Sequence, residues 1–167
     1  MNIDVVVQKA IGQVAAELLP DDDEIVRWVS TALNGKYDSA QLTVRIVGFE
    51  ESQQLNEKYR HRPGTTNVLS FPFEHPEMVQ PPLLGDVVIC APLVVREANE
   101  QGKDIYAHWA HLVIHGVLHL LGYDHEETDK ANIMEELEKE IMAKLHYPDP
   151  YAKDEVPQAE YSFKAQQ

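Results

Sequence analysis

The sequence predicts an α+β domain in which a small mixed sheet is packed with helices. The chain has 167 residues, of which 44% are hydrophobic and 25% charged, and this composition suits one globular domain with a sizeable core. Along the chain, hydrophobic residues recur with a period of two residues, which is typical of strands, or of 3.6 residues, which is typical of helices. The predicted order of elements is β-α-β-α-β-β-α-α-α, with no internal repeat. We expect a single domain over residues 1–149 and a polar, loosely held tail over 150–167.

The first half of the chain alternates strands and helices. IDVVVQ (3–8) and the alternating QLTVRIV (41–47) are typical of strands. PDDDEIVRWVSTALNG (20–35) predicts a helix, with aspartates in its first turn and Gly35 at its end. Its apolar stripe is Ile25, Trp28, Val29, Ala32 and Leu33. EESQQLNEKYR (50–60) is a short helix candidate.

The second half predicts two strands followed by three helices. TNVLSF (66–71) and LLGDVVIC (83–90) are apolar runs of strand length. Pro92 suits the first turn of a helix that runs to Gly102. Asp104 is placed to cap a helix that reaches Leu121 and ends at Gly122. The last helix is amphipathic, with one apolar face formed by Ile133, Met134, Leu137, Ile141 and Leu145.

Charge and cysteine content restrict the possible functions. The formal net charge of −14 argues against nucleic-acid binding by bulk electrostatics, so any such site must be local and basic. The N-terminal MNIDVVVQKA lacks the basic region of a signal peptide, and no apolar run approaches the ~20 residues of a membrane span. The lone Cys90 cannot form an internal disulfide. We expect a cytoplasmic protein.

The stretch HGVLHLLGYDH (115–125) predicts a metal site. His115 and His119 are one helical turn apart, so their imidazoles can reach one ion. Gly122 can reverse the chain and bring His125 back over the last turn. Three neutral nitrogen ligands with an open fourth position are typical of a catalytic zinc site rather than a structural one.

Two more histidines share this helical stripe. His108 lies about 10 Å along the axis from His115, which is too far for the two to share a metal ion. We interpret it as a structural histidine whose ring nitrogens have hydrogen-bond partners. His111 could replace His119 as a ligand, or could donate a hydrogen bond outside the set of metal ligands. The H-x3-H-x5-H spacing also occurs in metzincin proteases, in which a glutamate after the first histidine is the general base. That position is Gly116 in this chain, which argues against peptidase chemistry.

A second feature is the densest positive cluster in the chain, Lys58, Arg60, His61 and Arg62, within KYRHRPGTTNVLSF (58–71). It could be a solvated helix end, where cations suit the helix dipole. Taken alone, the cluster favours that interpretation. The functional alternative is phosphate binding, because arginine can form two parallel hydrogen bonds to phosphate oxygens. Tyr59 and Phe71 are candidates for stacking on bases.

Together these stretches resemble the YbeY family of metal-dependent endoribonucleases, which act on single-stranded RNA in ribosomal RNA maturation. The match rests on 115–125, on TNVLSFPFE (66–74) and on LLGDVVIC (83–90), and it covers about residues 40–147. Many members have Asp where this chain has Asn67. The resemblance implies a zincin-like metal-binding helix, with one zinc ion held by His115, His119 and His125.

The resemblance also implies roles and partners. Arg60 would be the RNA-contacting or catalytic cation beside the metal-bound His115, and Lys58 and Arg62 would bind RNA with it. The implied substrate is the 3′ end of small-subunit ribosomal RNA, the implied partners are the small ribosomal subunit and ribosome-assembly factors, and a role in late ribosome quality control follows. Two alternatives stay open: a zinc metallopeptidase-like hydrolase, and a non-enzymatic assembly factor whose structural zinc is closed by Asp124 or His111.

Overall fold

The structure is a computed structural model that describes residues 2–11, 14–60, 66–124 and 126–152, with Arg60 described by its backbone alone. The predicted order of elements is confirmed. The strands are β1 (Asn2–Ala10), β2 (Ser39–Val47), β3 (Val68–Pro72) and β4 (Leu83–Cys90). The helices are α1 (Asp22–Leu33), α2 (Phe49–Arg60), α3 (Ala91–Gln101), α4 (Ile105–Leu120) and α5 (Thr128–Lys144), with 3-10 turns at Ala16–Leu18 and Pro76–Met78.

The four strands form one mixed sheet in the order β1-β2-β4-β3. β1 and β4 each pair in parallel with β2, and β3 pairs antiparallel with β4. Val44 therefore lies between Val7 on one side and Val87 on the other. The structure confirms the predicted α+β class with a small mixed sheet packed with helices.

One face of the sheet is covered by α1 and α4, whose apolar side chains form the core. Trp28 of α1 and Trp109 of α4 are both fully buried there. α1 begins with a capping box, in which Asp21 accepts a hydrogen bond from the Glu24 amide at 2.8 Å. It ends one residue earlier than predicted, because Asn34 already adopts the left-handed conformation before Gly35.

The last two helices pack against each other and place the site. The Asp104 cap of α4 is confirmed, since its carboxylate accepts from the Ala107 amide at 3.0 Å. The predicted apolar face of α5 was wrong at one position: Ile133 is 56% exposed, while the charged Glu138 is fully buried. In the described part of the chain, no helix is long and apolar enough to cross a bilayer.

The chain after α5 is described as far as Ala152, and the remainder of the predicted tail, 153–167, lies outside the described residues. Lys103 donates to the Pro150 carbonyl at 3.1 Å, which attaches this segment to the loop before α4. The division of the chain at residue 149 stays a prediction.

Candidate metal centre

Helix α4 brings His115 and His119 together, as predicted. Their ring centroids are 4.8 Å apart, and the ring of His111, one turn earlier, lies 6.2 Å from that of His115. These three histidines are the only partly exposed positions between 111 and 120 of this otherwise buried helix. The apolar sequence around them therefore buries the helix and leaves one imidazole stripe at its edge.

The turn after α4 reverses the chain at the predicted glycine. Gly122 has φ 98° and donates to the His119 carbonyl, and Tyr123 donates to the Leu118 carbonyl. This pair of bonds is a Schellman motif, which a left-handed glycine favours. Lys36 donates to the Tyr123 hydroxyl at 2.7 Å and holds the returning chain. The predicted third ligand, His125, lies outside the described residues.

Gly116 of α4 lies directly against the sheet. A Cβ placed there would lie 2.5 Å from a methyl carbon of Val87 on β4, closer than real contacts allow. The Ser70 hydroxyl of β3 donates to the Gly116 carbonyl at 3.0 Å. A glutamate at this position would collide with the sheet, so the position of the metzincin base is closed here by packing.

A carboxylate reaches the histidines from α5 instead. Glu138 is fully buried, and its Oε1 lies 2.8 Å from His115 Nδ1 and 2.9 Å from His111 Nε2. Its Oε2 accepts a hydrogen bond from the Tyr151 hydroxyl at 2.7 Å. Sequence reasoning missed Glu138, although a charged residue four positions after Met134 and three before Ile141 stands on the apolar stripe of the helix.

The protonation of this cluster follows from its contacts. Burial raises the pKa of Glu138, but hydrogen bonds from His111 and His115, together with their charge, outweigh it and lower the pKa to about 2. Burial lowers the pKa of His111 against the opposing effect of Glu138. Because an ionised carboxylate has no proton to donate, both imidazole nitrogens that face Glu138 must carry one. His115 can then ligate a metal only through Nε2.

Two candidate ligand sets share His115. The predicted set is His115, His119 and His125. Among the described residues, His111, His115 and Glu138 also form a group whose ligand atoms lie within 4.8 Å of one another. Metal bonds of about 2.0–2.1 Å at tetrahedral angles place ligands roughly 3.3 Å apart. The spacings of 2.8 and 2.9 Å around Glu138 are shorter and match hydrogen bonds.

His108 belongs to a separate network, which agrees with its exclusion from the metal site. Its Nε2 lies 2.9 Å from Glu97 Oε1, and Asn67 donates to the same carboxylate at 3.1 Å. Burial raises the pKa of Glu97, and the bonds from His108 and Asn67 outweigh it and lower the pKa. The amide of Asn67 thus supplies a donor that an aspartate carboxylate would lack.

The basic cluster is described only in part. Lys58 and Arg60 lie on the last turn of α2, with the Lys58 ammonium 5.2 Å from the ring centre of Tyr59. Tyr59 and Phe71 pack edge-on against each other with ring centroids 5.3 Å apart. The side chain of Arg60, and all of His61 and Arg62, lie outside the described residues, so their predicted roles stay predictions.

A buried helix that presents adjacent histidines above a buried carboxylate, on a small α+β fold, defines a candidate histidine metalloprotein. The sequence model of the family described as Endoribonuclease YbeY matches residues 11–146. The chain belongs to this family.

Curated relatives and a solved structure agree with the assignment. The chain is similar to an endoribonuclease YbeY of Pseudomonas putida, with 56% identity over 81% of this chain and 87% of the relative. It is similar to an endoribonuclease YbeY of Nitrosococcus oceani, with 51% identity over 90% of this chain and 98% of the relative. A Thermotoga maritima protein solved in solution shares the fold, with TM-score 0.53 and 23% identity over 90% of this chain and 99% of its own.

Proposed function

We propose that this protein is a metal-dependent endoribonuclease that cleaves single-stranded RNA, with the 3′ end of small-subunit ribosomal RNA as its substrate. The observation that carries the proposal is the family match over residues 11–146 with relatives named as endoribonucleases. The hydrogen bond between His115 and Glu138 supports it, because it holds one histidine in the tautomer that binds a metal through Nε2.

We further propose that His115, His119 and His125 hold one zinc ion in a zincin-like site. Glu138 is better suited to orienting His115 than to ligation, because its Oε1 already accepts from His111 and His115 at hydrogen-bond distances. At zinc sites a histidine ligand usually donates its second ring N–H to a carboxylate or a carbonyl, which fixes the tautomer and the orientation of the ring. The neutral three-histidine donor set fits zinc and leaves a position open for solvent or substrate.

The residues of this chain then have separate roles. Bound zinc would supply Lewis acidity and lower the pKa of a water molecule at the open position. Arg60 would stabilise the negative charge that develops on the scissile phosphate. Lys58 and Arg62 would bind neighbouring phosphates, so that a locally positive site works within a chain of net charge −14. Ribosomal partners, namely the small subunit and its assembly factors, would supply the remaining affinity.

Packing against the sheet leaves no room for the general base that the peptidase alternative requires. Gly116 stands where a metzincin glutamate would be, and a Cβ there would meet Val87 at 2.5 Å. We therefore propose phosphodiester rather than peptide hydrolysis. A cytoplasmic location and a role in ribosome quality control complete the proposal.

The test combines metal content with RNA cleavage. Wild type, His119→Ala and Arg60→Glu are purified, bound metal is measured by mass spectrometry, and each is incubated with a single-stranded ribosomal RNA 3′-end precursor. We expect His119→Ala to lose metal and cleavage, and Arg60→Glu to keep metal and lose cleavage. The exposed His75→Ala and Arg27→Glu are matched controls that should behave as wild type. A wild type that binds metal but cuts RNA neither free nor in ribosomes would overturn the proposal and favour a structural zinc.

A further inference from the structure

The segment that follows α5 folds back onto the candidate metal centre. Within it, Tyr151 donates its amide to Asp149 Oδ1 at 2.8 Å and Ala152 donates to the Asp149 carbonyl at 3.2 Å, which forms a turn. Lys103 anchors the turn through the Pro150 carbonyl. The turn therefore has bonds that place it independently of the metal centre, and the ring of Tyr151 projects from it.

Tyr151 completes the hydrogen bonding of the buried carboxylate. Its hydroxyl donates to Glu138 Oε2 at 2.7 Å, and its ring packs edge-on against His111 with centroids 5.3 Å apart. Glu138 Oε1 is engaged by His111 and His115. Each oxygen of the anion therefore has a donor, as a fully buried carboxylate requires.

The rotation of a carboxylate about its last torsion is soft, because a terminal sp³–sp² bond has broad, roughly two-fold preferences. Donors on Oε1 alone, here the imidazoles of His111 and His115, would leave the Glu138 plane weakly defined. A second donor on the opposite oxygen fixes that plane, and with it the direction of the bond to His115 Nδ1. The orientation of His115 Nε2 then depends on a residue 36 positions later in the chain.

We propose that Tyr151 is a positioning residue of the metal centre, which acts through Glu138 to fix the orientation of His115. This inference rests on the proposed function in one respect, that His115 ligates the metal. It assigns a role in the centre to a residue that lies beyond the helices.

The experiment measures metal affinity rather than cleavage. Zinc affinity is determined by competition with a chromophoric chelator for wild type, Tyr151→Phe and Glu138→Gln, and the cobalt-substituted proteins are compared by visible absorption. Loss of a group that is hydrogen-bonded directly to a metal ligand weakens metal binding about 10–100-fold. We expect a loss of that order for Glu138→Gln. Tyr151 is one hydrogen bond further from the metal than Glu138. For Tyr151→Phe we therefore expect about 3–10-fold weaker zinc binding and an altered cobalt spectrum.

Tyr147→Phe is the matched control, because it removes a hydroxyl from the same segment while its ring packs edge-on against Trp28. It should bind zinc as wild type does. In the double variant with Glu138→Gln, removal of the Tyr151 hydroxyl should have no further effect, since both changes act on the same contact.

The outcomes separate this inference from the proposed function. A wild type that binds no metal overturns the metal centre itself. Wild-type affinity and an unchanged cobalt spectrum in Tyr151→Phe overturn the role of Tyr151 and leave the centre intact. Equal losses in Tyr151→Phe and Tyr147→Phe also overturn it, because the effect would then belong to the stability of the segment.

Discussion

Replacement of Glu138 by glutamine should remove a pH-dependent part of the stability of the metal-free protein. The pKa of this buried carboxyl falls from 4.5 to about 2 on folding. Each pKa unit corresponds to about 1.36 kcal/mol, so folding favours the ionised form by about 3 kcal/mol. This is a large fraction of the roughly 5–15 kcal/mol by which domains are stable.

The direction of the pH dependence follows from the lowered pKa. Because the folded-state pKa lies below the unfolded value, the contribution is complete above about pH 4.5 and is lost as the pH falls toward 2. The difference in unfolding free energy between wild type and Glu138→Gln should therefore be about 3 kcal/mol larger in favour of wild type at pH 7 than at pH 2, and should shrink through this window. Glutamine keeps the size of the side chain and one oxygen acceptor, which can face the two imidazoles while its NH2 group donates to the Tyr151 hydroxyl.

The assay is urea unfolding in the presence of a chelator, at pH values from 7 down to 2, for both proteins. Glu136→Gln is the control, because this exposed carboxylate on the same helix pairs only with the surface residue Lys139 among the described ion pairs. Its effect should be small throughout. A Glu138→Gln difference that stays constant with pH would refute the reasoning. A variant more stable than wild type at pH 7 would show that burial of the charge costs more than its hydrogen bonds return.

Three further outcomes are expected. Gly116→Ala should lower the unfolding free energy by about 1–3 kcal/mol, because its Cβ meets Val87. Measured by urea unfolding, the same change should cost less in a Val87→Ala background, where the opposing methyl groups are absent. Asn67→Asp should destabilise the protein at pH 7 and less at pH 4, because it sets a second carboxylate beside Glu97; equal losses at both pH values would contradict this. RNA binding should weaken as salt rises in a titration, since phosphate contacts release counterions, and a flat response would contradict phosphate binding.

Elements with local signals were predicted well. The Asp104 cap, Pro92 in the first turn of α3 and the left-handed Gly122 each depend on residues within one turn of each other. The pairing of His115 with His119 follows from helical spacing alone. These features do not depend on tertiary contacts, and for that reason they can be predicted from the sequence.

The buried carboxylate was missed because it depends on how two helices pack. Glu138 lies 23 residues from His115, and their contact requires α5 to lie against α4. Amphipathic patterning counts apolar residues only, so it assigned Ile133 to the buried face and passed over Glu138. A buried carboxylate needs hydrogen-bond donors around it. Here the histidines of the neighbouring helix α4 provide them.

The position of the carboxylate limits what it can do in catalysis. In a metzincin the glutamate beside the first histidine takes a proton from metal-bound water, whereas here Gly116 is held against β4 and the carboxylate comes from α5. Both oxygens of Glu138 already accept hydrogen bonds, and its pKa is lowered to about 2. These contacts argue against Glu138 as the base and support the role that we propose for it, which is to orient His115. If the chain cleaves RNA as we propose, proton transfer in that step has to use a different group.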